Sequence, residues 1–341
     1  MQAIFFTGYP GFLGSALLPR VLARDPQSVA ICLVQPKFAA LARERARDFG
    51  DRVRIVEGDI TSPIAVSPGD ITEIYHLAAV YDLSVARDVG MRVNVDGTRH
   101  VLDFAERCKS LRRFHYVSTC YVSGRYDGVF REDNLDVGQR FNNYYEETKF
   151  LAEVDVRKRT QLPYIIYRPA IVVGDSKTGA TQKYDGPYFV IQWVARQPRI
   201  AVLPLIGDPA RNHFNVVPRD FVIDAIDYLS GARPTSTAKC YQLADPNPLT
   251  IAAILEAIGK AAGRRIVSVR LPLALAKMGA PMLRIPAAAV PYFTHPTTYD
   301  TTNAQRALAR SGISVPSFRD YAPRLVEFFR AHREIGAAGM A

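Results

Sequence analysis

The chain has 341 residues, 48% of them hydrophobic and 22% charged, and its 43 Lys and Arg against 33 Asp and Glu leave a net charge of +10. At roughly 100–200 residues per domain this is two domains or one large one, and the composition excludes a disordered or fibrous chain. The charge asks for an anionic partner, but no long Lys/Arg block and no nucleic-acid motif occurs, so no nucleic-acid partner is expected and phosphorylated small molecules fit better.

Met1-Gln2-Ala3 runs straight into a short apolar stretch, with neither a basic leader nor a small-residue cleavage site, which predicts a cytoplasmic protein. Ala3–Phe6 reads as a strand and Phe12–Arg24 as a helix. Val29–Val34 is a second buried strand, Phe38–Phe49 an exposed helix, and Val53–Glu57 and Glu73–Leu77 are further strands. Val89–Lys109 is one long helix with Val89, Val93, Gly97, Val101, Phe104 and Cys108 on one face. The strand Phe114–Ser118, the helix Tyr144–Arg159 and the strand Tyr164–Tyr167 continue the alternation. Strands separated by helices make βαβ units, and right-handed crossovers turn these into an α/β fold with a doubly wound, mostly parallel Rossmann sheet.

After Arg168-Pro169 the regularity breaks. Asp175–Asn212 is rich in Gly, Pro and aromatics; Arg219–Leu229, Thr250–Ala262 and Tyr321–Arg330 read as helices and Lys239–Leu243 as a strand. The expected division is a dinucleotide-binding domain over 1–174 plus about 214–244, and a smaller, discontinuous C-terminal substrate domain over 175–213 plus about 245–335. No run of 18 uncharged apolar residues exists. Leu271–Phe293 comes nearest, but prolines, Lys277 and Arg284 interrupt it, so it suits a greasy pocket or, at most, peripheral membrane contact. Cys32, Cys108, Cys120 and Cys240 form no CxxC pair and read as reduced thiols, and no metal-ligand spacing appears.

Thr7-Gly8-Tyr9-Pro10-Gly11-Phe12-Leu13-Gly14 joins the first strand to the first helix with G-x-x-G-x-x-G spacing. Gly8 permits the tight turn, Gly11 lets backbone approach a phosphate, and Gly14 lets helix and sheet pack closely. The helix N-terminus then offers free N–H groups to a pyrophosphate, with Tyr9, Phe12 and Leu13 as further loop contacts. A plain strand–turn–helix junction uses glycine too, but the place after an extended apolar strand favours a dinucleotide. The second strand ends Val34-Gln35-Pro36-Lys37, without the acid that binds an NAD ribose. Gln35 does not repel a 2′-phosphate, and Lys37, Arg43 and Arg45 are near enough in sequence to pair with one. NADP(H) is therefore favoured, with NAD(H) left open. Asp59, followed by Ile60, can accept from an adenine amino group or simply shape a surface turn.

Tyr145 and Lys149 stand four apart, on one helix face. Ser118 and Thr119 end the fifth strand, at the carboxyl edge where open α/β sheets bind ligands. A hydroxyl there can hold a substrate carbonyl. An ammonium group beside the phenol is expected to draw its pKa from about 10 towards neutrality, making it a usable general acid/base. Either feature alone is explained as well by a strand cap or an exposed helix tyrosine.

TGYPGFLG, the GDI after the third strand, HLAA at His76–Ala79, NVDGT at Asn94–Thr98, YVSTCYVSG at Tyr116–Gly124, YEETK and RPAIVVGD at Arg168–Asp175 together resemble the extended short-chain dehydrogenase/reductases, in order over residues 1–175. FNVVPRDFV at Phe214–Val222 is similar to a later segment of that family. The resemblance implies that Thr119 is the triad hydroxyl, Tyr145 the acid/base and Lys149 its partner. It implies that Asn94 supports a proton-relay water, unless it packs under the long helix, and that Ser118 is a neighbour of the reacting groups. Ala78 and Ala79 would contact the cofactor, and Pro169 and Val172 would pack near its nicotinamide or end the strand.

Within that superfamily, VSTCYV and GDSKTGATQKYDGPYF at Gly174–Phe189 are similar to segments of the fatty acyl-CoA/aldehyde reductases and thioester reductases. Those relatives commonly carry Arg at the end of the second strand, where Gln35 stands here. The resemblance implies hydride transfer to a hydrophobic acyl thioester or aldehyde, CoA- or carrier-linked, with no cysteine nucleophile. Lys183, Arg196, Arg199 and Arg211 would meet a phosphopantetheine arm, and the apolar stretch Ile266–Phe293 would enclose an alkyl chain, unless these are solvated charges and ordinary core. Relatives often form homodimers through the two long helices. Other chemistries stay open: a 3-keto acid or 3-hydroxysteroid dehydrogenase, an NAD-dependent sugar-nucleotide epimerase, or a non-catalytic dinucleotide-binding protein. The intact Thr119, Tyr145 and Lys149 argue against the last.

Overall fold

The computed structural model describes residues 2–231, 239–270 and 287–336. Strand β1 (Ala3–Thr7) is apolar nearly throughout, and Phe5 and Phe6 point into different cores with no exposure. Such a strand must lie inside a sheet covered on both faces. It pairs in parallel with β2 (Val29–Val34) and, on its other side, β4 (Ile71–His76). The full order is β3-β2-β1-β4-β5-β7-β11, with β3 at Val53–Glu57, β5 at Arg113–Val117, β7 at Tyr164–Pro169 and β11 at Cys240–Leu243. Every pairing is parallel.

Helices α1 (Gly14–Ala23), α2 (Pro36–Ala46) and α7 (Arg219–Gly231) cover one face. On the other lie α4 (Gly97–Arg107) and α5 (Tyr144–Lys158). The expected single helix over 89–109 is instead α3 (Arg87–Gly90), a π-helical turn at Met91–Asp96, and then α4. A π turn inserts a residue into the helix, and Asn94 within it is buried against Val80 and Thr148. The expected helix over 38–49 begins at Pro36 and gives way after Ala46 to a 3-10 turn.

The later chain builds a second apolar core from α6 (Pro187–Ala195), β9 (Ile200–Leu205), α8 (Ile251–Ala262) and α10 (Phe318–Ala331), centred on Tyr188, Val194, Leu203, Ile258 and Leu325. Thr250 caps α8 by accepting from the Ala253 N–H at 3.2 Å, and Gly263 closes it in the left-handed region at φ 66°. β9 pairs with β12 (Arg265–Arg270). Three-residue strands complete the fold: β8 (Ile171–Val173) beside β10 (Val216–Pro218), and β6 (Gly128–Phe130) beside β13 (Thr297–Tyr299). A short helix α9 (Thr302–Leu308) precedes α10. These three-residue strands are too short to show a period of two, which is why the sequence does not announce them. All four cysteines are free and buried.

Candidate active site

The strand order reverses between β1 and β4, and open α/β sheets bind ligands beyond the carboxyl ends of the strands at such a switch point. A cavity of about 670 Å³ opens there. It is lined by the glycine loop at one end, by the carboxyl ends of β1, β2, β4, β5 and β7 along its length, and by aromatic side chains of the later chain at the other end. Of the catalytic residues and glycine-loop and strand-end cofactor contacts read from the sequence, all but Asn94 line it.

The loop is built so that backbone fills the space a side chain would take. A Cβ on Gly11 would stand 2.8 Å from the Gly8 carbonyl oxygen, and one on Gly14 2.3 Å from the same atom. Gly8 itself sits at φ 89°, with Leu77 backbone behind it. Tyr9, Phe12 and Leu13 line the same end. This cradle fits a dinucleotide pyrophosphate, and no metal-ligating cluster occurs among the described residues.

Beyond the loop, the Gln35 amide donates to Asp59 at 2.7 Å. Burial works against the Asp59 charge, but hydrogen bonds from Thr61 and Gln35 hold its carboxyl below the usual range. Lys37 and Ile60 line the cavity beside this pair, and the Lys37 ammonium lies 5.0 Å from the Phe38 ring centroid. The other two basic residues read as phosphate partners are committed elsewhere. Arg43 pairs with Glu57 at 2.5 Å, and Arg45 donates to the Pro10 carbonyl at 2.9 Å. Helical spacing carries both away from the cavity that Lys37, at the helix start, borders. Arg92, on the π turn, lines the cavity too, and no sequence pattern marks it.

At the middle of the cavity, the Thr119 hydroxyl accepts from the Tyr121 N–H at 3.2 Å and donates to the Pro169 carbonyl at 3.4 Å. It also faces the Tyr145 phenol and pulls its pKa down, but burial wins and holds that phenol well above its ordinary value. The expected acidic shift is thus reversed. Tyr145 is 8% exposed, and desolvation disfavours a phenolate more than its surroundings favour it. Lys149 shows the same force with the opposite sign. Burial brings its ammonium down to about 7, with Glu153 opposing. Its Nζ donates to the Val117 carbonyl at 2.9 Å and lies 4.5 Å from the Tyr116 ring centroid.

Several motif residues turn out to brace the site. Ser118 lines the cavity but gives its hydroxyl to Glu153 at 2.7 Å, and Glu153 pairs with Arg168 at 2.6 Å with neither side chain exposed. His76 joins Thr7 at 2.8 Å to Thr98 at 3.0 Å, and burial pushes its pKa down to about 3, so it spans these hydroxyls as a neutral ring. Asn94 accepts from the Val80 N–H at 2.9 Å and donates to the Val80 carbonyl at 3.3 Å and to Thr148 at 3.0 Å. Both its amide hydrogens are spent on protein groups.

The far end is apolar and aromatic. Phe189, Phe214, Ala289, Tyr292 and Phe293 line it, with Leu83 and Val89 opposite. Residues 271–286 of the apolar stretch lie outside the described residues; of its described part, Ala289, Tyr292 and Phe293 line the cavity. Between this end and Tyr145 stands a polar group. Tyr81 packs edge-on against Tyr145, with ring centroids 5.0 Å apart. The Lys183 ammonium lies 4.1 Å from the Tyr81 ring centroid, donates to the Tyr81 carbonyl at 3.0 Å and reaches Asp185 at 3.4 Å. Burial raises the Asp185 carboxyl, with Lys183 opposing. Of the cations read as binders of a phosphopantetheine arm, only Lys183 borders the cavity. Arg211 is exposed beside Asp208, and Arg196 and Arg199 are exposed next to β9. Tyr81 directly follows the HLAA–Val80 stretch and Asp185 lies in the glycine-rich segment, so position relative to a motif was the available signal.

Residues 6–226 match the family model described as male sterility protein. The chain is 28% identical over 258 residues to a non-canonical nonribosomal peptide synthetase of Aspergillus campestris, covering 67% of this chain and 24% of that one. It is 28% identical over 173 residues to the alcohol-forming fatty acyl-CoA reductase of Simmondsia chinensis, covering 41% of this chain and 35% of the other. The chain thus spans about a quarter to a third of the length of these relatives. Among solved structures it is similar to the terminal R domain of the myxalamid PKS-NRPS biosynthetic pathway, with TM-score 0.81, 26% identity, and 98% and 92% of the two chains covered. An archaeal thiolation-reductase di-domain shares the fold at TM-score 0.75 and 19% identity, covering 98% of this chain and 76% of that one.

Proposed function

The chain belongs to the male sterility protein family, an NAD(P)-binding branch of the extended short-chain dehydrogenase/reductases, and from that premise we propose that it uses NADP(H) to reduce the carbonyl of a hydrophobic acyl thioester or aldehyde. One observation carries the reading. A single cavity joins a phosphate cradle of glycine backbone to an aromatic, apolar lobe, and Thr119, Tyr145 and Lys149 stand at the junction. The apolar lobe favours an acyl chain over a sugar nucleotide, which would call for polar partners.

The dinucleotide, when bound, supplies the hydride. The glycine turn and the start of α1 would bring free backbone N–H groups to its pyrophosphate, with Gly11 closing the turn by donating its own N–H to the Gly8 carbonyl at 2.9 Å, and Lys37 with Gln35 would receive the 2′-phosphate that marks NADP(H). Thr119 and Tyr145 donate to the substrate carbonyl oxygen and stabilise the charge that develops there. A phenol held above its ordinary pKa is fully protonated at neutral pH, the form a reduction consumes. The phenolate left after proton transfer is stabilised by Thr119 and by the ammonium form of Lys149. With a thioester, the tetrahedral adduct expels the thiol and leaves aldehyde. With an aldehyde the product is the alcohol.

The test is loss of NADPH absorbance with palmitoyl-CoA, palmitaldehyde, a 3-ketoacyl substrate and a ketosteroid offered in parallel. Turnover of either of the first pair is expected. Turnover of only the second pair overturns the substrate assignment.

A further inference from the structure

The β9–β12 sheet carries a surface that the cavity does not use. Its outward side presents Ile200, Val202, Val267 and Val269, which are 57%, 46%, 41% and 44% exposed. Val202 stands beside Val267 in the register, and Pro204 beside Val269. The alternate residues Ala201 and Leu203 are fully buried in the second core, so this is the true outer face of the sheet. An outer face is ordinarily polar. Here it is a strip of β-branched aliphatics.

The charge around the strip is one-sided. Residues 186–207 and 257–270 contain no Asp or Glu, in a chain that has 33 of them. The same stretches carry Arg196, Arg199, Lys260 and Arg265, all exposed, and none pairs with an acid among the described residues. An apolar strip rimmed by unopposed cations is the arrangement by which proteins lie on anionic lipid. The alternatives suit it less. A second copy would bring the same positive charge to the contact. A protein partner is usually gripped by aromatic anchors at the centre of the patch, and the centre here is aliphatic.

We propose that the β9–β12 face docks on an anionic membrane surface, with Ile200, Val202, Val267 and Val269 entering the headgroup boundary and Arg199 and Arg265 holding acidic headgroups. The face is tied to the cavity through α6. Phe189 lines the cavity, and one turn later the Trp193 ring N–H donates to the Val202 carbonyl at 2.8 Å. A hydrophobic molecule leaving a bilayer at this face would be one helical turn from the aromatic lobe. The docking does not depend on which carbonyl the cavity reduces.

The experiment is co-sedimentation of the full chain with vesicles of phosphatidylcholine, with and without phosphatidylglycerol. Binding only to the anionic vesicles is expected, with release by salt. The double variant Arg199→Ser/Arg265→Ser should lower the partition coefficient roughly five-fold per arginine. Val202→Ser/Val267→Ser should weaken binding while the salt dependence remains. Thermal melting and NADPH binding report whether each variant is folded, and the arginine pair leaves the apolar strip intact should the valine pair fail to fold. Equal binding to both vesicle types, no binding, or variants that sediment like the parent chain would each overturn the proposal. So would a parent chain that is dimeric and becomes monomeric only in the valine pair, since the face would then serve a second copy.

Discussion

The two ends of the cavity are built from different materials. The nucleotide end is backbone: three glycines at fixed spacing, a helix N-terminus, and strand ends locked in a parallel sheet. The apolar end is side chain, contributed by α6, by the chain before β10 and by the 3-10 helix Ala287–Thr294, where bulk matters more than identity. Backbone cradles tolerate almost no substitution, because an added Cβ meets main chain that cannot move. Apolar lobes tolerate much, because many side chains fill the same volume. The nucleotide end should therefore fail abruptly under mutation and the apolar end gradually.

The junction between the two should fail hardest. Tyr145→Phe is expected to lower kcat by about a hundred-fold to ten-thousand-fold, the usual worth of a positioned proton donor, while NADPH affinity by fluorescence titration stays within two-fold. Retained turnover would remove Tyr145 from the chemistry. At the nucleotide end, Gly14→Ala places a methyl group where the Gly8 carbonyl stands at 2.3 Å. NADPH affinity should fall at least about ten-fold, with any residual turnover keeping its substrate preference. Gln35→Asp should shift the NADPH:NADH ratio of kcat/KM by about ten-fold towards NADH, because a carboxylate repels a 2′-phosphate. An unchanged ratio would move cofactor choice away from this strand end.

At the apolar end, Phe293→Ala should raise KM for a long-chain substrate only about three- to ten-fold and leave kcat near the parent value, as expected when uniform apolar contact is lost. A collapse of kcat would mean that this ring positions the carbonyl. The smallest effect concerns pH. Lys149 is held down to about 7, so it is an ammonium below that pH and neutral above it. A step that needs the ammonium should lose rate as pH rises through about 7. Lys149→Arg, charged throughout, should lack that limb in whatever activity it retains.

The same contrast explains what the sequence made legible. The glycine spacing, the alternation of apolar strands with periodic helices, and Lys239–Leu243 as a late strand led to the doubly wound sheet and to the reductase family, because each demands particular residue types at particular distances. The break in the helix at 91–96 was not legible, since the apolar residues on either side of it recur at spacings of three and four that an unbroken helix shows as well. Nor was the upward shift of the Tyr145 phenol. Spacing says which groups are neighbours, whereas the shift depends on how much water is excluded. Arg43 and Arg45 looked like phosphate partners in one dimension and point elsewhere in three. Tyr81 and Asp185 were missed because the group they belong to is assembled through Tyr81, which meets Tyr145 and, 102 residues on, Lys183 beside Asp185.

Glu153 and Lys149 lie one helical turn apart on α5, and both hold the end of β5: Lys149 through the Val117 carbonyl, Glu153 through the Ser118 hydroxyl. Rolling α5 about its axis by a single residue would swing the Tyr145 ring through about 100°. Two fastenings on successive turns forbid that rotation. The aim of the phenol is therefore set by the β-sheet rather than by the helix that carries it, and the ion pair with Arg168 keeps the lower fastening charged and taut.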